Sequence, residues 1–395
     1  MIEGWRNSPW RDRLHAWRDR LHAWRDRLHA WRDRLLASPR FHRLATAFPF
    51  TRPVARRRSR ELFDLCAGFI YSQVVLASVR SGLLDAVAEQ PLPSHALAER
   101  LGLPAMATER LVGAAAALRL LELRRGGRYG LGDLGAVLVA APGIRAMVDH
   151  HAVLYQDLQD PLALLQGERG ATALGQYWAY AGHDRPGDLS EGEVGAYSAL
   201  MAASQPMVAA EVLDAYSLRR HRRLMDVGGG EGAFLLAAAQ RWPHLQGRVV
   251  ELPAVAERAR RRFAASDLTE RLEAVEADFF RDPLPGDADV VTLVRILHDH
   301  DDEQVLMLLR NLRRSLAPGT TLLVAEPMAG TPGAERVGDA YFGIYLFAMG
   351  RGRPRTVAEN QALLREAGFS EVRLLRGCNP LQARVIAAKS RSLSV

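Results

Sequence analysis

A glycine-rich segment in the second half of the chain constrains the fold more than any other feature. Mostly apolar residues at 224–227 predict a short buried strand, which leads directly into Gly-Gly-Gly-Glu-Gly at 228–232 and then into a helical pattern over 233–241. Glycines permit a tight turn and let the backbone approach a ligand at the N-terminus of the helix. The segment also satisfies a loose dinucleotide fingerprint, so NAD binding is an alternative at this point.

Alternating strands and helices continue from this segment toward the C-terminus. Such alternation predicts a mostly parallel sheet covered by helices on both faces, within an α/β domain over residues 221–395. The predicted strands occupy residues 224–227, 248–251, 272–277, 289–294, 321–326, 372–375 and 383–388.

Acidic residues stand at the ends of the first three predicted strands. Glu251 can accept hydrogen bonds from both hydroxyls of a ribose, and Asp278 with Phe279 can hold an adenine. Asp226, directly before the glycines, suits a ligand with a positive amino group or sulfonium rather than a phosphate. The three strand ends together favour an adenosine site over an NAD site.

The fourth predicted strand ends in Arg295-Ile-Leu-His298-Asp299. Because the carboxyl ends of strands face the ligand crevice in open α/β sheets, His298 should point toward the ligand. Glu326 ends the next strand and could accept a hydrogen bond from the other imidazole nitrogen, which would fix the tautomer of a general base. His298 and His300 lack the i, i+4 spacing of helical zinc sites, so no metal is predicted.

Residues 61–140 form a second predicted unit. Residues 94–120 indicate a helix, a glycine-containing turn and a helix, and Arg-Arg-Gly-Gly-Arg-Tyr-Gly at 124–130 indicates a hairpin tip, which together are typical of a winged helix. DNA binding is therefore an alternative function. The second helix, at 108–120, is mostly Leu, Ala and Val and offers few side chains to recognise base edges. Dimerisation is favoured, and no nucleic acid is expected.

Residues 141–220 are predicted to be a helical region that contributes to the substrate pocket or links the two flanking units. Its large side chains could line an apolar pocket, although core packing is the commoner role of any one such residue. These residues are Met147, His150, His151, Tyr155, Tyr177, Trp178, Tyr180, Tyr197, Met201 and Met207.

Residues 1–60 form a basic arm and linker, with 16 arginines against 5 acidic residues. Trp-Arg-Asp-Arg-Leu-His-Ala occurs three times in tandem over 10–30 and nearly again over 31–37, which places Trp and Leu on one helical stripe. Such a helix could lie on an anionic membrane, which we favour, or pair with another helix as a short coiled coil. A duplicated segment can also simply be tolerated near a terminus. Pro39, Pro49 and Pro53 then predict a linker.

The two cysteines, Cys66 and Cys378, are far apart and predict neither a disulfide framework nor a cysteine-rich zinc site, which fits a reducing cytoplasm. The first residues are rich in Arg and Trp, where a secretory signal would need an apolar stretch, and no run of about eighteen apolar residues occurs. We therefore predict a cytoplasmic protein, able to be peripheral to the inner membrane, with no membrane-spanning segment.

With these motifs in place, residues 60–390 resemble the O-methyltransferase family that includes caffeate- and acetylserotonin-type enzymes. The resemblance implies a mainly helical winged-helix dimerisation domain before a Rossmann-like methyltransferase domain, a homodimer, and S-adenosylmethionine as cofactor. It rests on the glycine segment at 226–232, Glu251-Leu-Pro253, Asp278-Phe-Phe280, Arg295-Ile-Leu-His298-Asp299 and Ala325-Glu-Pro327.

The resemblance also implies roles for site residues. His298, Glu326 and Asp299 take the catalytic positions. The cofactor-binding positions are Asp226, Gly228, Gly230, Glu251, Leu252, Asp278, Phe279 and Arg295. Many plant relatives have a second glutamate just before an Arg-Thr pair, and Pro354 stands there in this chain, so Glu326 alone is expected to orient His298.

Residues 62–69, 150–155 and 348–356 resemble the bacterial members of the family that act on acyclic carotenoids such as hydroxyneurosporene and demethylspheroidene. This resemblance implies methylation of a tertiary 1-hydroxyl at one end of a long polyene. An aliphatic alcohol is a weak acid, so proton removal is expected to accompany methyl transfer. A carbon or oxygen methyltransferase of the same fold that acts on a tetrapyrrole or a phenolic compound is the alternative.

Overall fold

The structure is a computed structural model that describes residues 9–168, 170–182 and 186–391. Residues 1–8 of the predicted arm and residues 392–395 of the predicted α/β domain lie outside the described residues. The chain divides into two compact units, Met1–Val74 and Val75–Val395, which are described separately.

The first unit is helical. The tandem repeats form one helix, α1 (Pro9–Leu36), followed by α2 (Pro39–Ala47) and by most of α3 (Arg52–Arg80). The prediction of a linker at these prolines is therefore wrong, because Pro39 and Pro53 lie in the first turns of α2 and α3. Pro39 begins α2 and Pro53 is the second residue of α3, where a missing amide hydrogen removes no helical hydrogen bond.

The second unit begins with the winged-helix pattern that the sequence predicted. After α4 (Leu83–Ala86) come β1 (Leu92–Pro93), α5 (Ser94–Leu101) and α6 (Ala105–Ala117). The hairpin of β2 (Leu121–Arg124) and β3 (Arg128–Leu131) completes an antiparallel three-stranded sheet in the order β1-β3-β2. Gly102 ends α5 with a φ of 63°, a conformation that glycine adopts without strain.

A helical region connects this sheet to the α/β half. It consists of α7 (Asp133–Ala140), α8 (Pro142–Asp157), α9 (Pro161–Leu165), α10 (Ala173–Tyr177), α11 (Ala179–Gly182) and the long α12 (Glu191–Ala215). A capping box formed by Ser190 and Glu193 begins α12, which packs against α8. One side of α12 therefore faces the helical region, and its later turns reach the α/β half.

Seven strands form the large sheet: β4 (Arg223–Val227), β5 (Gln246–Glu251), β6 (Leu272–Glu276), β7 (Val290–Val294), β8 (Thr321–Glu326), β9 (Phe369–Leu374) and β10 (Arg384–Ser390). Their order is β6-β5-β4-β7-β8-β10-β9. The strands from β4 to β8 pair in parallel, whereas β10 runs antiparallel to both β8 and β9. The predicted Rossmann-like α/β fold is confirmed.

Helices cover both faces of this sheet: α13 (Ala233–Arg241), α14 (Pro253–Ala264), α15 (Asp302–Ser315) and α17 (Val357–Glu366). A further helix, α16 (Gly343–Met349), packs against α8 and α10 of the helical region. Fully buried apolar side chains form one core cluster around Phe234 and Phe263 and another around Leu308 and Leu312. The order of strands reverses between β4 and β7, and in such sheets a crevice opens at the carboxyl ends of the strands on either side of that point.

Among the helices in the described part of the chain, α3 is long and apolar enough to cross a membrane by length and composition. A second candidate arises only if α7 and α8, bent by 94° at their junction, count as one span. Helices that pack inside proteins share these properties, so the observation is weak support for a span. The apolar residues Leu62, Phe63, Leu65, Phe69 and Ile70 of α3 are each at least half exposed in the single chain.

Candidate active site

A cavity of about 440 Å³ lies at the carboxyl ends of β4 to β7, with one wall formed by α12. Its lining includes eight of the predicted site residues, which are Gly228, Gly230, Glu251, Leu252, Asp278, Phe279, Arg295 and Asp299. Residues far apart in the sequence thus meet at one site because parallel strands end at the same edge of the sheet.

The glycine turn after β4 gives the cavity its floor. Gly228, Gly230 and Gly232 adopt φ values of 69°, 60° and 75°, a region that side chains other than glycine rarely enter. A Cβ atom on Gly232 would lie 2.3 Å from the Phe263 ring, so this turn also needs glycine for packing. The backbone is therefore free to approach a ligand closely where α13 begins.

Glu251, at the end of β5, is held by two backbone donors. The amide of Gly230 donates to Oε1 at 2.9 Å, and the amide of Leu252 donates to Oε2 at 3.0 Å. Burial raises the pKa of this carboxyl, and the two amide bonds oppose that effect. Each oxygen of an ionised carboxylate has further acceptor sites, so Glu251 can still bind a diol from the cavity.

Asp278 and Phe279 form the opposite side of the cofactor end of the cavity. Asp278 accepts a hydrogen bond from the amide of Phe280 at 2.9 Å, which fixes its side chain. The Phe279 ring contacts Phe280 edge to face, with centroids 4.7 Å apart. A carboxylate and a fixed aromatic ring at this place can accept the amino group and pack against the face of an adenine.

Asp226 lies under the glycine turn and does not line the cavity. Its side chain is fully buried, with Oδ1 accepting a hydrogen bond from Thr292 Oγ1 at 2.6 Å and Oδ2 without a hydrogen-bond partner. Burial raises the pKa of Asp226 to about 7. The sequence predicted a carboxylate that meets a cationic ligand, whereas the structure turns this side chain toward β7, beneath Gly229.

His298 and Glu326 form the pair that the sequence predicted. Nδ1 of His298 lies within hydrogen-bond distance of Glu326 Oε2 and, because an ionised carboxylate only accepts, Nδ1 is the donor. The other oxygen of Glu326 accepts the amides of Ile296 at 3.0 Å and Leu297 at 2.7 Å. Glu326 is thus fixed by the loop that carries His298, and it directs the second imidazole nitrogen, Nε2, away from itself.

A second carboxylate meets that nitrogen. Oδ1 of Asp299 lies 3.2 Å from Nε2 of His298, and Oδ2 accepts a hydrogen bond from the Tyr180 hydroxyl at 2.7 Å. Asp299 lines the cavity, whereas His298 is 7% exposed and lies behind it. Glu326 is therefore not the only carboxylate at His298, which corrects the expectation that Glu326 alone orients it.

The pKa of His298 reflects both neighbours. Burial lowers the pKa of the imidazole, but the negative charges of Asp299 and Glu326 outweigh burial, and the pKa is raised above its ordinary value. The neighbouring His300 differs, because burial lowers its pKa to about 4 and its ring packs against Phe280. Of these two histidines, His298 has the environment of a proton acceptor.

Arg295 extends from the end of β7 toward α12. Its guanidinium donates to Ser204 Oγ at 2.9 Å and to Gln205 Oε1 at 2.6 Å, and its backbone has a φ of 59°. The side chain lines the cavity. These hydrogen bonds join the end of β7 to α12.

Aromatic side chains lie beside His298 and along the cavity. A π-helix at Arg336–Phe342 precedes α16 and places the Phe342 ring 5.5 Å from the ring of His298. Trp178 and Tyr197 line the cavity beside Tyr180. The sequence predicted Trp178, Tyr180 and Tyr197 only as members of a larger group of side chains that could line a pocket. No local sequence signal connects Tyr180 with Asp299, because their contact spans 119 residues.

The Rossmann-like sheet brings the glycine turn, Glu251 and Asp278 to one cavity at its carboxyl edge, with His298 between Glu326 and Asp299 behind it. Residues 155–370 match the O-methyltransferase domain family, and residues 63–141 match the O-methyltransferase dimerisation domain family. The chain belongs to the O-methyltransferase family and uses S-adenosylmethionine. The dimerisation domain supports a homodimer formed through the N-terminal part of the chain, as the winged-helix pattern predicted.

Several characterised proteins are similar over most of the chain. Demethylspheroidene O-methyltransferase of Cereibacter sphaeroides is 43% identical, covering 89% of this chain and 92% of that protein. The enzyme of the same name from Rhodobacter capsulatus is 40% identical, covering 89% and 87%. The crystal structure of human N-acetylserotonin methyltransferase in complex with S-adenosylmethionine superposes with a TM-score of 0.70 at 26% identity, covering 85% of this chain and 98% of that one.

Proposed function

We propose that this enzyme methylates the tertiary 1-hydroxyl of an acyclic carotenoid such as demethylspheroidene or hydroxyneurosporene, in spheroidene-type carotenoid biosynthesis. The observation that carries this substrate is the similarity to two demethylspheroidene O-methyltransferases at 43% and 40% identity over 89% of the chain. Trp178, Tyr180 and Tyr197 line the cavity, which is consistent with an apolar acceptor.

The volume of the cavity indicates that only part of a long polyene lies in the site. At about 440 Å³ it lies at the small end of the range for ligand sites, and the cofactor must share it with the acceptor. Only the hydroxylated end of a long polyene can therefore enter. The remainder of the chain has to stay outside the cavity, in another apolar environment.

We assign the cofactor end of the cavity to the residues at the ends of β4, β5 and β6. Glu251 binds the ribose hydroxyls, Asp278 and Phe279 bind the adenine, and the turn at Gly228 and Gly230 receives the methionyl part. Leu252 and Arg295 complete the lining on either side. S-adenosylmethionine supplies a methyl group activated by its sulfonium. Asp226 does not line the cavity; its carboxyl fills the space beneath Gly229 and accepts a hydrogen bond from Thr292.

His298 acts as the general base in this proposal. Its neutral Nε2 accepts the hydroxyl proton while Nδ1 remains bonded to Glu326, so the imidazolium that forms is stabilised at once. Asp299 occupies the space in front of Nε2 in the structure, so the entering hydroxyl must displace it. Because an aliphatic alcohol is a weak acid, proton transfer accompanies methyl transfer and alignment of the two reactants supplies much of the rate.

The experiment that tests this function is incubation of the purified enzyme with S-adenosylmethionine and a panel of acceptors, with products identified by mass. The panel contains hydroxylated acyclic carotenoids, phenols and tetrapyrroles. We expect a gain of one methyl group on the tertiary hydroxyl of the carotenoids only. Methylation of a phenol or a tetrapyrrole, with the carotenoids unchanged, would establish the alternative function.

We further propose that the enzyme works at the inner surface of the membrane, where a carotenoid resides, and that residues 10–37 contribute the contact.

A further inference from the structure

The sequence of α1 repeats every seven residues, and this period fixes which side chains share a side of the helix. Each residue turns an α-helix by about 100°, so the seventh residue returns to nearly the same side. Trp17, Trp24 and Trp31 are 63%, 57% and 59% exposed, and Leu21 and Leu28 lie beside them at 37% and 43%. An apolar stripe of aromatic and aliphatic side chains therefore runs along a solvent-facing side of α1.

Arginines border this stripe on both sides. In each repeat one Arg follows Trp by one residue and another by three, which places them about 100° to one side and about 60° to the other. The Asp between them points about 160° away from the stripe. Residues 10–35 contain eight arginines and four aspartates, a net charge of +4. The ion pair of Arg32 with Asp33 is exposed and reduces this positive field little.

The same arrangement opposes pairing of α1 with a second copy of itself. If the stripe were a coiled-coil seam, Leu would occupy position a, Trp position d, and Arg both position e and position g. Residues at e and g face each other across such a seam in parallel pairs, and like positions face each other in antiparallel pairs. Every one of these contacts would join two arginines, and like charges at this place repel.

We infer that α1 is an interfacial helix that binds an anionic lipid surface, with its Trp and Leu stripe among the acyl chains and its arginines at the phosphate groups. Trp prefers the boundary between head groups and acyl chains, and long arginine side chains reach from a buried stem to the charged surface. Asp26 and Asp33 are exposed to the water. A carboxylate near the stripe would oppose binding, and the sequence places each Asp two residues after a Trp, at the position of the heptad farthest from the stripe.

This inference deepens the proposed function. The site admits only the end of a polyene, so a membrane-bound helix would deliver the enzyme to the place where the rest of that substrate lies. The link to carotenoids rests on the proposed substrate, whereas binding to lipid does not. Binding measured without turnover therefore separates a failure of the inference from a failure of the proposed function.

The test is sedimentation of the full-length enzyme with vesicles, with no substrate present. One set of vesicles contains phosphatidylcholine only, and the other about one third phosphatidylglycerol. We expect binding to the anionic vesicles, weakened by salt, and little binding to the neutral ones. The variant Trp24→Ala/Trp31→Ala keeps helix propensity and should reduce the partition coefficient at least about tenfold.

The matched control is His22→Ala/His29→Ala, which makes the same number of changes on the side of α1 away from the stripe. It should bind like the unaltered enzyme. Equal binding by the tryptophan variant would overturn the inference and direct attention to another surface, such as the exposed apolar residues of α3. A wild-type enzyme that binds neither vesicle, or a tryptophan variant that changes only the oligomeric state, would overturn it as well.

Discussion

Asp299→Asn is the substitution that tests most directly how the site controls its base. The carboxylate of Asp299 lies 3.2 Å from Nε2 of His298, and its charge is one of two that raise the pKa of the imidazole against the effect of burial. Asparagine keeps the size of the side chain and a hydrogen-bond acceptor but removes the charge. The remaining charge of Glu326 is unchanged, so the variant isolates the contribution of Asp299.

The size of the effect follows from the distance. An opposite charge within about 4–6 Å changes a pKa by about 1 to 3, and each pH unit corresponds to about 1.4 kcal/mol. A base must be neutral to accept a proton, so activity rises as the pH passes the pKa of His298. Removing a charge that raises this pKa should therefore move the acid limb of the pH profile to lower pH, by at least about one unit.

The assay is kcat/KM for the acceptor as a function of pH at saturating S-adenosylmethionine, which reports the pKa values of the enzyme before the acceptor binds. Each profile is normalised to its own plateau, so a general loss of activity does not affect the comparison. Glu303→Gln is the control, because it removes the same charge from the exposed first turn of α15. Its acid limb should coincide with that of the unaltered enzyme.

Tyr180→Phe completes the experiment, because the Tyr180 hydroxyl donates to the other oxygen of Asp299 at 2.7 Å. We expect this substitution to alter the profile when Asp299 is present and to have no further effect in the Asp299→Asn enzyme. An acid limb that stays in place in Asp299→Asn would refute the reasoning. Equal effects of Tyr180→Phe in both backgrounds would show that Tyr180 does not act through Asp299.

Three further substitutions test other parts of the structure. His298→Ala should lower kcat by about 10²–10⁴-fold while leaving the calorimetric affinity for S-adenosylmethionine nearly unchanged, and wild-type turnover would exclude a general base at this position. Glu251→Ala should weaken cofactor binding by about tenfold or more, and an unaltered dissociation constant would refute the ribose assignment. Gly232→Ala should lower the thermal midpoint more than Gly319→Ala. Both glycines have positive φ values, but only at Gly232 would a new Cβ atom collide with a neighbour, the Phe263 ring at 2.3 Å.

Much of the site could be predicted from the sequence because a parallel sheet brings strand ends together. Once the strands were located, Glu251, Asp278 and His298 had to lie at the same edge, whatever the details of packing. The glycines before α13 gave the position of the ligand on that edge. These inferences needed only the period of the strands and the chemistry of the residues that follow them.

The direction of individual side chains could not be predicted in this way. Asp226 belongs to β4 and precedes the glycine turn, but its carboxyl points beneath the turn to Thr292. Tyr180 reaches Asp299 only because α11 and the loop after β7 pack together, a contact with no local signature. The linker predicted from the prolines failed for a related reason. Proline disfavours the interior of a helix but is compatible with its first turn, and the sequence alone did not distinguish these positions.

The charged groups around His298 suit a base that must accept a proton from a weakly acidic alcohol. Pro354 offers no carboxylate, and the next residue, Arg355, donates to the backbone carbonyls of Leu297 and His300 at 2.6 Å, which braces the loop around His298. A carboxylate still faces the imidazole, through Asp299. Both carboxylates raise the pKa of His298 before the acceptor binds, and Glu326 remains at Nδ1 to stabilise the imidazolium that forms when an aliphatic alcohol gives up its proton. The same raised pKa leaves less of the imidazole neutral at a given pH, so displacement of Asp299 by the entering hydroxyl would restore the neutral form when the acceptor is in place.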